Sequence, residues 1–387
     1  MDKRRLTAAL LALLTLGALL ISAASKPQGV ASSVGEAKPS RDLRGQMPPS
    51  FEQEVASVVA EIDRIEVEAL AQMESPTLDR QGQVRVLGKL LLFDKHLSVH
   101  KNEACSFCHT PETGFTGPIS ALNQTTVSYP GSLSTRFSNR KPQSYMYAPF
   151  APVLHYNPLQ GDFVGGNFWE MRASGYRLQN PSAEQAQGPP TNPVEMGLPD
   201  SACLAYRLSH ASYRKLFEKV WGADSFGIHW PDDVEPVCST PGPPAANDPL
   251  SVHLSAADRG RADHAYDNFG LAVAAYEFSP EVSPFTSKYD YVQAGKEQFT
   301  TQEKLGYKLF QGKPRCNECH RDGGPGEEPL FTDLLQAISG CREIRDYKFI
   351  TKAEWTNAGT VPTLRERRTS IREWEIFWAR CEVIAVN

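Results

Sequence analysis

A mainly α-helical protein is predicted from three observations, one of which, a Cys-x-x-Cys-His motif in each half, makes it two cytochrome c-like haem domains with long loops. Apolar residues recur at helical spacing from Phe51 onward and again from Ala256, a Cys-x-x-Cys-His motif occurs twice, and proline and glycine are plentiful. With 29 Pro and 28 Gly in 387 residues, turn formers are somewhat above average usage, which fits ordered loops between helices. A chain of this length favours two units of roughly 100 to 200 residues each. The net charge is −5, so a nucleic-acid partner held by bulk positive charge is excluded.

The elements follow in chain order. Residues 1–24 begin with a basic stretch through Arg5, continue with an apolar run and end in small residues around Ala24, the pattern of a secretory signal peptide. An uncleaved N-terminal membrane anchor is the alternative, although the apolar run is short for a full span. Export implies an oxidising, extracytoplasmic compartment. Residues 25–50 are small, polar and proline-containing with no apolar period, and read as a flexible leader. Phe51, Val55, Val58, Val59, Ile62, Ile65, Ala69 and Leu70 then define one apolar face among acidic residues, an amphipathic helix that covers the body. Pro241, Gly242, Pro243 and Pro244 interrupt the chain, and helical spacing resumes near Ala256 through His264, Phe269, Leu271 and Tyr276. The boundary is placed near residue 252, giving an N-terminal domain over 51–252 and a C-terminal domain over 253–387.

Eight cysteines carry most of the chemical information. Cys105-Ser106-Phe107-Cys108-His109 and Cys316-Asn317-Glu318-Cys319-His320 are both Cys-x-x-Cys-His motifs, the pattern of covalent c-type haem attachment. Two thiols one helical turn apart can form thioethers with both vinyl groups of a porphyrin, while His109 or His320 reaches the iron. A zinc knuckle would need further ligands from elsewhere, and a dithiol redox pair has no use for the following histidine. The expected cofactors are therefore two covalently bound haem c groups. Cys203, Cys238, Cys341 and Cys381 remain, an even number in an exported chain, and read as disulfides. Cys203 with Cys238 and Cys341 with Cys381 are the local choices among the connectivities that four cysteines allow. The surroundings of the motifs also repeat weakly. Leu87-Gly88-Lys89 and Leu305-Gly306-Tyr307 precede them, and Gly114-Phe115-Thr116 and Leu330-Phe331-Thr332 follow.

With these motifs in place, the chain resembles the bacterial di-haem cytochrome c peroxidase superfamily, including its MauG-like branch. The resemblance runs over most of residues 84–365. It rests on Leu87-Gly88-Lys89-Leu90, Phe168-Trp169-Glu170-Met171-Arg172-Ala173, Ala183-Glu184-Gln185-Ala186, Gly188-Pro189-Pro190, Asn192-Pro193-Val194-Glu195-Met196, Ser283-Pro284-Phe285, Phe331-Thr332-Asp333 and Thr360-Val361-Pro362-Thr363-Leu364-Arg365, in this order around the two motifs. It implies an N-terminal haem that reacts with hydrogen peroxide and a C-terminal haem that relays electrons from a small redox protein or from a protein substrate. Glu195 matches the proton-moving carboxyl of the peroxide pocket, and Gln185 matches the amide that hydrogen-bonds peroxide. A carboxyl in an apolar pocket resists ionisation, which suits acid/base work. Trp169 matches the tryptophan between the haems, although the family's usual Trp-Asp-Gly-Arg-Ala reads Trp-Glu-Met-Arg-Ala here and the spacing to Gln185 is longer. The resemblance further implies a calcium ion between the domains, with Asn139 and the carbonyls of Thr360 and Pro362 as ligands.

Two departures bear on mechanism. Peroxidases that need reductive activation carry a blocking histidine in the loop after the first motif, yet residues 110–154 contain none, and His155 lies beyond the family's position. The second haem ordinarily takes a late Met or Tyr, but no Met follows Met196 and Tyr347 precedes the expected place. Either that ligand is unusual or the end past Arg365 is truncated or frame-disrupted, and the second is the reading adopted. A plain di-haem electron carrier is the contrasting class, disfavoured by Gln185 and Glu195. The first iron should thus be held by His109 alone, and the resting protein should give a high-spin ferric signal by electron paramagnetic resonance. A purely low-spin spectrum would contradict this.

Overall fold

Described here is a computed structural model covering residues 50–335, apart from residue 160, residues 243–249 and residues 325–326. The expected signal peptide, nearly all of the leader, the Cys341–Cys381 pair, Tyr347, Thr360 and Pro362 lie outside the described residues. The architecture is mostly helical with a single two-stranded sheet among those residues. No described helix is long and apolar enough to cross a membrane.

The first helix, α1 (Ser50–Met73), follows the expected apolar face, with Phe51, Ile62, Ile65 and Ala69 buried. Its outer side carries charge, where Arg64 pairs with Glu61 and Glu68. Asp79 caps α2 (Arg80–Phe93) by accepting the Gly82 amide at 2.6 Å. Residues 86–93 of this helix are buried without interruption, so it is a central rather than an amphipathic helix. The first Cys-x-x-Cys-His motif forms the short α3 (Cys105–Cys108), and α4 (Ser120–Gln124) follows. A long loop leads to the hairpin β1 (His155–Asn157) and β2 (Asp162–Val164), paired antiparallel with Tyr156 opposite Phe163. Next come α5 (Pro181–Ala186) and α6 (Gly188–Thr191), then α7 (Ser201–Leu208), α8 (Arg214–Trp221) and α9 (Val234–Cys238). The expected disulfide between Cys203 and Cys238 is formed, joining α7 to α9 across a sequence separation of 35 residues. By the chain-entropy argument, closing such a loop stabilises by about 4 kcal/mol.

The long α10 (Ala256–Glu277) begins at the cap Ser255, whose hydroxyl accepts the Asp258 amide at 3.1 Å. The boundary near residue 252 placed this helix at the start of a second domain. It packs along α2, α5 and α7, beside the first motif. Small residues make that approach possible. A Cβ at Gly88 would lie 2.0 Å from the Ala272 carbonyl oxygen, and one at Gly270 would lie 2.5 Å from that of Ala183. Around the contact sit Leu87, Leu90, Leu91, Phe93, Phe269 and Tyr276, all essentially inaccessible to solvent.

Toward the second motif, α11 (Lys288–Gln293) and α12 (Thr301–Gln311) each start with a capping box, Ser287 with Asp290 and Thr300 with Glu303. Neither contains a buried residue. Leu334 returns to the hairpin, its carbonyl accepting the Gly165 amide at 3.0 Å. The Gly88→Ala protein should lose about 3 kcal/mol of stability in urea unfolding, because the added methyl forces α2 and α10 apart. A wild-type midpoint would show that the two helices do not meet there.

Candidate active site

The site is built on the turn that follows α2. Asp94 ends that helix, and its carboxylate accepts the His96 amide at 2.7 Å and the Tyr213 hydroxyl at 2.7 Å. The Ser98 hydroxyl then accepts the amides of Asn102 and Glu103, each at 3.0 Å, which aims the chain into α3. Cys105 and Cys108 are brought one helical turn apart and are not joined to each other. The next residue, His109, holds its Nδ1 at 3.0 Å from the Phe115 carbonyl oxygen. Donation from Nδ1 leaves Nε2 free to bind an iron, and it fixes the plane of the ring. Burial lowers the His109 pKa, keeping the imidazole neutral as a metal ligand requires. Tyr145 packs on the ring at a centroid distance of 5.2 Å and on Phe115 at 4.9 Å.

The second motif repeats this construction. Cys316 and Cys319 are free, and His320 holds its Nδ1 at 3.0 Å from the Phe331 carbonyl oxygen. Phe115 and Phe331 share a left-handed backbone, with φ of 57° and 53°. The repeat seen in the sequence is therefore a repeat of geometry. Tyr289 packs on Phe331 at 5.0 Å, and the Tyr307 hydroxyl donates to Asp322 at 2.5 Å beside this second turn.

Both turns fit haem c. Each offers two unpaired thiols and an imidazole whose inner nitrogen is already committed. Around the first, the hydroxyls of Ser106 and Tyr145 and one oxygen of Glu277 are buried with no hydrogen-bond partner, the signature of polar atoms facing space that a bound group would fill.

Glu195 sits in the turn after α6. Its amide bonds to the Asn192 carbonyl at 3.0 Å, and its own carbonyl accepts the Ser132 amide at 2.8 Å. Gly131 makes that approach possible, since a Cβ there would lie 2.4 Å from the Glu195 carbonyl oxygen. Burial pushes the Glu195 carboxyl above its ordinary range, opposed by the Arg172 charge and a hydrogen bond with Asn192. Its charge in turn raises both haem-turn thiols, with Cys105 pushed up to about 12, chiefly by burial. Met196 beside it places Sδ 3.9 Å from Cys105 Sγ. Gln185 is half-buried in α5, the short helix before α6.

Trp169 stands on the loop between β2 and α5. It is 90% exposed, in a tight turn where Phe168 and Met171 both have positive φ. The buried Glu170 anchors that turn by pairing with Arg140 and Arg172. Asn139 is exposed on the preceding loop. His155 is exposed on β1, with Nδ1 at 2.9 Å from the Val153 carbonyl oxygen. Sequence reasoning missed Glu103, a buried carboxyl whose Oε1 accepts from Cys108 Sγ at 3.8 Å, and gave Arg172 no role. Its place two residues before Cys105 is the only signal it offered.

Burial raises the Glu103 pKa well above the usual carboxylate value, with the Cys108 hydrogen bond opposing and the Glu195 charge adding to it. The folded chain thus binds a proton that the unfolded chain releases near pH 4.3. Stability from this group is complete below that pH and is lost as pH rises through the folded value. Relative to wild type, the Glu103→Gln protein should become steadily more stable as pH climbs from about 4.3, by up to ~1.4 kcal/mol per pH unit in thermal melts. A pH-independent difference would remove the buried acid.

A family model described as di-haem cytochrome c peroxidase matches residues 83–298. The methylamine utilization protein MauG of Paracoccus denitrificans is 32% identical over 251 residues, covering 64% of this chain and 54% of that protein. The cytochrome c551 peroxidase of Nitrosomonas europaea is 26% identical over 241 residues, 62% of this chain and 52% of that protein. The chain spans about half the length of these curated relatives. Among solved structures, a single-residue variant of the di-haem peroxidase BthA from Burkholderia thailandensis shares the fold. Its TM-score is 0.50 at 24% identity, over 70% of this chain and 62% of that one. With the matched model spanning more than half of its residues, this chain belongs to the di-haem cytochrome c peroxidase family.

Proposed function

We propose that the chain is an exported, periplasmic c-type peroxidase that carries two haems and reduces hydrogen peroxide with electrons from a small redox protein. The observation that carries this reading is Glu195, a carboxyl held above its ordinary pKa beside the two thiols of the first haem turn. When bound, the haem supplies an iron and a store of electrons for cleaving the peroxide O–O bond. The chain's own residues supply position and protons. His109, tied to the Phe115 carbonyl, would hold the first iron; residues 110–154 contain no histidine to compete with it, and His155 stays on the exposed hairpin. Gln185 orients peroxide by a hydrogen bond. Glu195 takes the proton from the inner peroxide oxygen and returns it to the outer one, so that with two electrons and two protons both oxygens leave as water. Against the burial that raises the Glu195 pKa, the Arg172 charge favours the ionised carboxylate.

A second reading follows from Trp169. Its exposure would let a partner protein approach the route by which electrons reach the first haem, so that a Trp or Tyr of that partner is oxidised in a MauG-like reaction. The similarity to MauG and the histidine-free loop favour it. A calcium ion held by Asn139 and the carbonyls of Thr360 and Pro362 belongs to the same proposal.

The Glu195→Gln protein should retain its haem content and lose peroxide turnover by about 100-fold or more, the usual scale for a general acid/base. Stopped-flow reduction of peroxide with a reduced c-type cytochrome or a copper protein as donor reads this out. Wild-type turnover by the variant would overturn the assignment.

A further inference from the structure

Glu277 is a buried ionisable group that the peroxide reaction, as described, leaves without a role. It is the last residue of α10, only 2% exposed, and its Oε2 receives no hydrogen bond. Its position is tied to the first haem turn by a short chain of contacts. The Ser283 hydroxyl donates to the Glu277 carbonyl at 3.1 Å and accepts the Tyr147 amide at 2.9 Å. Two residues earlier, Tyr145 lies against the His109 ring, its own hydroxyl buried and unpartnered. Burial is the main cause that raises the Tyr145 phenol and the Cys105 thiol, and the Glu277 charge adds to both, on either side of this arrangement.

Among the described residues no cation pairs with Glu277. Lys89 of α2 binds Glu281 Oε1 at 2.5 Å, and the Tyr276 hydroxyl donates to the same oxygen at 3.0 Å. From α5, the Glu184 carboxylate is turned to the amides of Gly175, Arg177 and Leu178. From α7, Arg207 donates to the carbonyls of Val99 and Cys238. Burial alone acts on Glu277 and drives its carboxyl toward the neutral acid. An uncompensated charge in this position is costly, and so is an uncompensated change of charge at an iron nearby.

We propose that Glu277 is the proton-holding group of the first haem, taking up a proton when the iron gains an electron and releasing it when the iron loses one. The inference rests on the reading that Cys105, Cys108 and His109 carry haem. One electron from the donor protein reduces the ferric iron, one proton from water adds to the Glu277 carboxylate, and reoxidation returns both. Reduction removes positive charge beside the carboxylate, so the acid is weaker in the reduced protein than in the oxidised one. Between those two pKa values the midpoint potential falls as pH rises; outside them it is flat.

The test is a spectroelectrochemical titration of the first haem in the haem-loaded, full-length protein, from mildly acidic to mildly alkaline buffer. The wild-type midpoint should fall with pH, approaching one proton per electron at its steepest. Glu277→Gln should hold the acid-limit potential throughout, while Tyr145→Phe, which keeps the ring on His109, should retain the slope. A flat wild-type profile overturns the proposal without recourse to any variant, and so does a slope that survives in Glu277→Gln. A protein that shows the slope yet fails to turn over peroxide would defeat the peroxidase reading and leave this inference standing. A flat profile with normal turnover would do the reverse.

Discussion

The close approach of α2 and α10 at Gly88 is the constraint from which the site hangs. The first haem turn follows the end of α2, and Glu277 closes α10, so the separation and register of these helices set where both lie. Gly88 sets the separation, because the Ala272 carbonyl occupies the space that any side chain would need. The next residue, Lys89, reaches past the end of α10 to Glu281 and fixes how far one helix slides along the other. Its side chain is 8% exposed, so this ion pair is more than a surface ornament.

Around the first turn, desolvation outweighs charge pairing. Glu103, Glu195 and Glu277 all have pKa values raised first by burial, and all act on Cys105. Arg172 is the cation that opposes this at Glu195, and it is shared with the buried Glu170. Burial in a pocket assembled in this way shifts each carboxyl toward its neutral form.

Much of the fold was legible because it is written locally. The apolar face of α1, the start of α10 at Ser255 and Ala256, the two Cys-x-x-Cys-His turns and the Phe115 and Phe331 repeat all follow from spacing within a few residues. The Cys203–Cys238 bond was a proximity argument, and the structure bears it out. What escaped depends on contacts between distant segments. The packing of α10 along α2 was invisible at a boundary judged from a proline-rich break. The continuous apolar run of α2 has no period to read. Burial of Glu103 and Glu277 is set by residues far away in sequence, and both look like ordinary surface carboxylates on paper. The exposure of Trp169 depends on how its turn is clamped by Glu170, which no sequence pattern announces.

The left-handed backbone of Phe115 has a consequence for how the iron ligand is held. A residue with a β-carbon pays roughly 1–2 kcal/mol to sit in this conformation, and glycine would sit there freely. The chain keeps phenylalanine, whose ring lies against Tyr145 while its carbonyl orients His109. Imidazole orientation and loop shape are therefore one coupled spring: neither relaxes without releasing the other, so the ring resists swivelling.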